Sequence, residues 1–205
     1  MTPPSLGFIG FGEAAFHICS GLLEERIPPI SAFDAMADDA KVGPLIRERA
    51  GLAKVKLTAS LVDLIRAADL IVCATSAKYA LGIAREAAPF VEPGQLYADL
   101  NSSSPRVKQD IDAVIRPTGG LFVDVAVMEL VPPHRHKVPM SVSGPGARRF
   151  KELLDPYGMK ITYVNAQAGS SSAFKMLRSI FMKGLTALLL ETLTAARKTG
   201  IDAEI

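Results

Sequence analysis

Tryptophan is absent from this 205-residue chain, aromatic residues make up only 6%, and there are two cysteines. Cys19 and Cys73 both sit in apolar contexts. Two such residues exclude a disulfide framework and a cysteine-based zinc site, and they read as buried thiols of a reducing compartment. An excess of either charge is also missing, since 23 basic and 21 acidic residues leave a formal charge of +2. That balance, with no Lys/Arg stripe alternating with aromatics, argues against nucleic acid as a partner. No run of 18 uninterrupted apolar residues occurs, so no membrane partner is expected. The opening Met1-Thr2-Pro3-Pro4-Ser5 lacks the charged and apolar segments of a signal peptide. The expected location is cytoplasmic.

Apolar residues account for 49% of the chain, enough for a sizeable core. The most informative stretch is Leu6-Gly7-Phe8-Ile9-Gly10-Phe11-Gly12-Glu13-Ala14-Ala15. It reads as a buried strand, a glycine turn and the first turn of a helix, the entry of a dinucleotide-binding fold. Gly10 allows the tight turn. Gly12 lets the backbone approach a pyrophosphate, and the helix N-terminus supplies amide donors and a positive dipole end. Phe11, Glu13 and Ala14 belong to the same cradle, and Ala15 is small enough for helix to pack on strand. A GxGxxA match by itself is weak, and its neighbours decide its worth.

Residues 30–34 read as a second strand ending in Asp34, 24 positions after Gly10. An acid so placed accepts hydrogen bonds from the adenosine ribose. The plainer reading is an aspartate that starts a loop or caps a helix. No Arg or Lys follows until Lys41, whereas Asp38 and Asp39 follow soon. A 2′-phosphate would be repelled there, so NAD is expected over NADP.

Strand and helix signals then alternate. A helix over 13–25 ends at Pro28-Pro29. Helix signals over 41–50 stop at Gly51. A short strand over 53–57, a helix over 61–67 and a continuously apolar strand over 69–74 follow. Next come a helix over 77–88, a strand over 96–100, a helix over 105–115 and strands over 121–126 and 140–143. A helix over 147–154 and a strand over 159–164 close the unit. This alternation predicts an α/β, Rossmann-type, doubly wound and mostly parallel sheet over residues 1–165.

The last segment differs. Over 169–199 there is no proline, and Phe174, Leu177, Ile180, Phe181, Leu185, Leu188, Leu189 and Leu193 mark a wide apolar surface. At 1.5 Å per residue such a helix is about 45 Å long, too long to bury on one small domain. The helix needs further helices from elsewhere, with a new helix start read at 201–205, so residues 169–205 are expected to belong to a fragment of a longer protein. A partner subunit could equally cover the apolar face.

Several motifs now stand in order: Gly10 to Ala15, Asp99-Leu100-Asn101-Ser102-Ser103-Ser104-Pro105, Phe122-Val123-Asp124-Val125-Ala126, and Gly169 with Lys175. In these the chain resembles the β-hydroxyacid dehydrogenase family, which includes 3-hydroxyisobutyrate and 6-phosphogluconate dehydrogenases, and within it an uncharacterised branch. The resemblance covers essentially the whole chain. It implies a Rossmann domain followed by a helical domain, an active site between them and a homodimer that buries the helical region. The activity it implies is hydride transfer between a nicotinamide cofactor and a small hydroxyacid.

By that resemblance Lys175 is the catalytic general acid/base, which takes the hydroxyl proton while hydride leaves the same carbon. Arg178 and Lys183 are nearby cations that would lower its pKa. The plain alternative is a solvated lysine. Ser179 replaces the family's substrate-binding Asn one turn on, and Arg178 could grip a carboxylate. Asn101 and Ser102 fall on the family's polar pair, which contacts the nicotinamide ribose and substrate; their plain alternative is an ordinary helix cap. Ala74, Thr75 and Ser76 match the segment that lies along the cofactor. After Asp124 the family's Ser-Gly-Gly substrate loop is replaced by Met128-Glu129-Leu130, which leaves the substrate open. The basic loop 131–137 reads as an anion-recognition element or, preferably, a solvated loop. His134 and His136 have no Cys or carboxylate cluster beside them, so no metal is expected. Imine reduction is disfavoured because related folds lose the lysine for that chemistry. A non-catalytic dinucleotide-binding regulatory or scaffold protein is the alternative from a different class.

Overall fold

A computed structural model of the chain describes residues 3–200. Met1 and Thr2, and the helix start expected at 201–205, lie outside the described residues. The chain divides into two compact units, Met1–Ser172 and Ala173–Ile205.

The first unit is built on eight strands: β1 Leu6–Ile9, β2 Ile30–Phe33, β3 Lys56–Leu57, β4 Leu70–Cys73, β5 Leu96–Asp99, β6 Leu121–Val127, β7 Met140–Ser143 and β8 Ile161–Asn165. Their order across the sheet is β3-β2-β1-β4-β5-β6-β7-β8. The first six strands run parallel in the 3-2-1-4-5-6 order of a dinucleotide-binding fold. β7 pairs antiparallel with β6, and β8 runs parallel to β7. The order reverses between β1 and β4, and the crevice at such a reversal, outside the strand C-termini, is where ligands bind.

Helices cover both faces because successive side chains of each buried strand point to opposite sides. One core joins Leu6, Phe8, Leu70 and Val72 to Ala15, Ile18, Cys19 and Leu22 of α1 (Glu13–Glu24) and to Ile46 of α2 (Gly43–Leu52) and Phe150 of α7 (Ala147–Leu154). The other joins Ile9, Ile71, Tyr97 and Phe122 to α3 (Leu61–Ala67), α4 (Ala80–Ala87) and α5 (Pro105–Ile115). Both cysteines are free and buried in these cores.

Two local expectations are corrected. Gly51 does not stop α2 but lies inside it, and the chain reverses at Lys54, whose φ is 53°. The amides of Lys54 and Val55 close the end on the carbonyls of Gly51 and Ala50, so the left-handed residue lies past the glycine. The segment after β6 is not an open loop. Val131–His134 forms a single helical turn, α6, followed by a 3-10 turn over Arg135–Lys137 that packs on α1.

The second unit is the continuation of α8 (Ser170–Thr199), a single 30-residue helix. Its Leu177, Ile180, Phe181, Leu188 and Leu190 are all at least 60% exposed. By length and composition alone this helix could cross a membrane, a test that core helices of soluble proteins also pass.

Candidate functional site

A cluster of polar groups lies at the C-terminal ends of β1, β2, β4 and β5. Gly10 follows β1 with φ +86°, and its amide donates to the Phe33 carbonyl at the end of β2, at 2.8 Å. A Cβ on Gly10 would stand 2.5 Å from Thr75 Cγ2 and 2.7 Å from the Ala74 carbonyl oxygen. Both the turn and the approach of the next strand therefore require glycine there. Gly12 is different. It is extended, it is the N-cap of α1 without any side-chain cap, and a Cβ placed on it meets nothing within 4 Å. Open space thus faces the N-terminus of a 12-residue helix, where backbone donors and the dipole favour an anion. Glu13 and Ala14 are exposed beside it, while Phe11 and Ala15 are fully buried.

Asp34 stands directly after β2. Its carboxylate accepts the Phe11 amide at 2.7 Å and the Met36 amide at 2.9 Å. The side chain thus starts the next turn, as the plainer reading has it, and also ties the glycine turn to β2.

Ala74, Thr75 and Ser76 follow β4, with Thr75 and Ser76 exposed. The Thr75 amide donates to Asn101 Oδ1 at 2.9 Å. The Asn101 amide nitrogen donates to Asp99 and, at 3.4 Å, to the Cys73 sulfur. Asn101 is 5% exposed, so the residue expected at the substrate spends its hydrogen bonds on protein atoms. Ser102 is exposed. The helix cap in this cluster is Ser104, whose Oγ accepts the Val107 amide. Burial pushes the Cys73 thiol up to about 11, with the Asp99 charge adding to the rise, so it stays protonated at neutral pH.

Sequence reasoning missed Lys108 and its pairing with the two motif aspartates. Lys108 of α5 is fully buried, with its ammonium 2.7 Å from Asp99 Oδ2, 2.7 Å from the Asp99 carbonyl oxygen and 3.4 Å from Asp124 Oδ1. Three donors meet three oxygens. Asp124 in turn accepts the Ser172 hydroxyl at 2.7 Å, the Ser172 amide at 2.9 Å and the Ser143 hydroxyl at 3.2 Å. These bonds fasten the first turn of α8 to the sheet. A signal was available, since Lys108, Ile111 and Ile115 share one helical stripe, and Asp99 and Asp124 interrupt apolar strands.

Met128 accepts a long hydrogen bond from Ser141 at 3.7 Å, and Glu129 pairs with His134 at 2.9 Å. Arg135 bonds Glu24 at 2.7 Å and Lys137 bonds Glu25 at 2.8 Å. Acids of α1 and Glu129 thus meet the charges of the 131–137 segment, which weakens its reading as an anion-recognition element. Among the described residues no group of three or more His, Cys, Asp or Glu is placed to hold a metal. In the second unit Lys175 and Ser179 are half-buried, one turn apart on α8, and Arg178 is exposed.

No family model matches the chain. It is 30% identical over 200 residues to an uncharacterised 28.5 kDa protein encoded in the 7S RNA 5′ region of Methanothermus fervidus, covering 98% of this chain and 74% of that one. A conserved hypothetical protein from Sinorhizobium meliloti 1021 superposes with a TM-score of 0.89 at 34% identity, over 98% of this chain and 67% of that one. A conserved protein of unknown function, described as structurally similar to 3-hydroxyacid dehydrogenases, superposes with a TM-score of 0.85 at 34% identity, over 98% and 72%. Two enzymes share the fold at lower identity. They are Mycobacterium tuberculosis 3-hydroxyisobutyrate dehydrogenase with L-serine, at 19% identity and TM-score 0.84 over 98% and 68%, and a Myxococcus stipitatus imine reductase variant with NAD+, at 21% and 0.81 over 99% and 69%.

Proposed function

Because the chain belongs to the family of these conserved relatives, a branch with the 3-hydroxyacid dehydrogenase fold, we propose that it is an NAD-dependent oxidoreductase of small hydroxyacids. The observation that carries the proposal is the open, uncapped N-terminus of α1 at Gly12, set beside Gly10 and Asp34. Gly10, Phe11, Gly12, Glu13 and Ala14 would cradle the pyrophosphate, and Ala74, Thr75 and Ser76 would lie along the cofactor. Asp34 retains lone pairs for a ribose hydroxyl, and its negative charge would repel a 2′-phosphate, which supports the reading of NAD over NADP. When bound, the nicotinamide supplies the hydride acceptor.

The chain's own residues supply the proton chemistry. Lys175 removes the proton from the substrate hydroxyl as its carbon is oxidised, and returns it in the reverse direction. Ser179, one turn along, hydrogen-bonds the substrate, and Arg178 binds its carboxylate. Ser102, Met128 and Glu129 are the substrate-contact candidates within the first unit. In the same reading residues 1–165 form the dinucleotide domain, and residues 169–205 begin a helical region through which two copies pair, in the cytoplasm. Lys175 argues against imine reduction. The binding-module alternative is favoured by Met128-Glu129-Leu130 and Ser179, which replace the groups that orient a hydroxyacid.

The test is a Lys175→Ala variant with NAD and a panel of small hydroxyacids. The expected result is retained NAD binding with NADH formation lost. Unchanged NADH formation would remove the catalytic assignment. Binding of NAD by the wild type with no turnover across the panel would favour the binding module.

A further inference from the structure

We propose that Asn101 is a positioning residue, which holds the Thr75 backbone in place under the glycine turn, rather than a substrate ligand. The inference rests on the reading of residues 74–76 as the strip along the cofactor. Its geometry is a line of contacts across the strand ends. The Asn101 oxygen accepts the Thr75 amide at 2.9 Å. Thr75 Cγ2 and the Ala74 carbonyl in turn press on Gly10 so closely that no Cβ fits between them. The Asn101 nitrogen is turned the other way, to Asp99 and to Cys73.

The side chain is therefore oriented from both ends. A flipped amide would set its nitrogen against the Thr75 N–H and its oxygen against the Asp99 carboxylate, two repulsive contacts in place of two bonds. Asp99 is itself held by the buried Lys108 ammonium, so the anchor does not move. At 5% exposure the amide offers a ligand almost no surface. What it controls is the height of the Thr75 backbone above β4, and with it the wall that Gly10 packs against.

The test compares the wild-type chain with Asn101→Ala, and with Asn101→Ser should the alanine variant not fold. Ser keeps a hydroxyl for Asp99 but is too short to reach Thr75. Amide hydrogen exchange at Thr75 reports the clamp directly, and NAD affinity with hydroxyacid KM reports its use. The expected result is exchange at Thr75 at least about tenfold faster and NAD bound about tenfold more weakly, with hydroxyacid KM unchanged at saturating NAD. Unchanged exchange at Thr75 overturns the proposal. A raised hydroxyacid KM with unchanged NAD affinity also overturns it, because that is the signature of a substrate ligand. If the wild type binds no dinucleotide, the functional reading fails, and the exchange measurement still decides the clamp.

Discussion

The Lys108 ammonium lies 2.7 Å from the Asp99 carboxylate, with both side chains fully buried. The pair couples α5 to the end of β5, and through Asp124 it reaches β6 and the first turn of α8. One ammonium faces two carboxylates, and the remaining negative charge is met by donors from Asn101, Ser143 and Ser172. Each member is there for the others, because any one of them alone would be an unpaired polar group in the core.

Replacing Lys108 with Met should therefore be severe. The side chain is of similar length, but Asp99 and Asp124 are left buried beside each other without a cation. A loss of about 3–5 kcal/mol in unfolding free energy is expected, read by urea denaturation. A loss under about 1 kcal/mol, by the same measure, would show that the carboxylates find other partners.

Gly10 and Gly12 should respond in opposite ways. Gly10→Ala forces a Cβ into Thr75 and Ala74 at φ +86° and should cost about 1–3 kcal/mol of stability. Gly12→Val meets open space in an extended conformation and should change stability by about 1 kcal/mol or less. In the proposed function it should nevertheless weaken NAD binding about tenfold, since the added branch would fill the space assigned to the pyrophosphate. Calorimetric melting and NAD titration of both variants separate the two effects.

If Asp34 faces the adenosine ribose as proposed, Asp34→Ser should shift the balance of affinity from NAD toward NADP. It removes the charge that would repel a 2′-phosphate in that reading and also frees the Phe11 amide, so NAD affinity should fall while NADP affinity rises or holds. Dissociation constants for both dinucleotides check this, and an unchanged ratio would remove Asp34 from the ribose site.

Acid should destabilise the chain in two windows. His136 is buried against Gly21, and burial, then the Lys137 charge, holds its pKa below the ordinary 6.5, with Glu25 pulling the other way and Arg135 reinforcing the fall. The unfolded chain then binds the proton more readily, so this stability is present above pH 6.5 and is lost as pH falls toward the depressed value. Glu24 and Glu25 are held below 4.5, chiefly by their hydrogen bonds to Arg135 and Lys137, and their contribution is lost only in stronger acid. His136→Gln should flatten the stability profile in the upper window alone, followed by thermal melts from about pH 7 to about pH 4.

Much of the framework was legible in the sequence because it depends on local pattern. The glycine turn, the apolar run at 70–73 and the alternation up to residue 165 follow from backbone freedom and hydrophobic period, which neighbouring residues settle between themselves. Reading α2 to end at Gly51 failed because the end of that helix is closed by hydrogen bonds from Lys54 and Val55, whose conformations depend on where β3 joins the sheet. The surroundings of Asn101 were hidden for a related reason. An exposed-looking Asn before a helix is buried only once β4 and β5 lie side by side.

Spacing along one chain was enough to specify a doubly wound sheet, a glycine-turn helix entry and a long apolar helix carrying Lys175. Those features need no knowledge of distant neighbours. Which polar residues become partners was settled only in three dimensions. Lys108 finds Asp99 and Asp124 only when α5 lies over the register that aligns those two aspartates on adjacent strands. Burial then makes the pairing compulsory, because charges removed from water hold only where opposite charges and donors meet them.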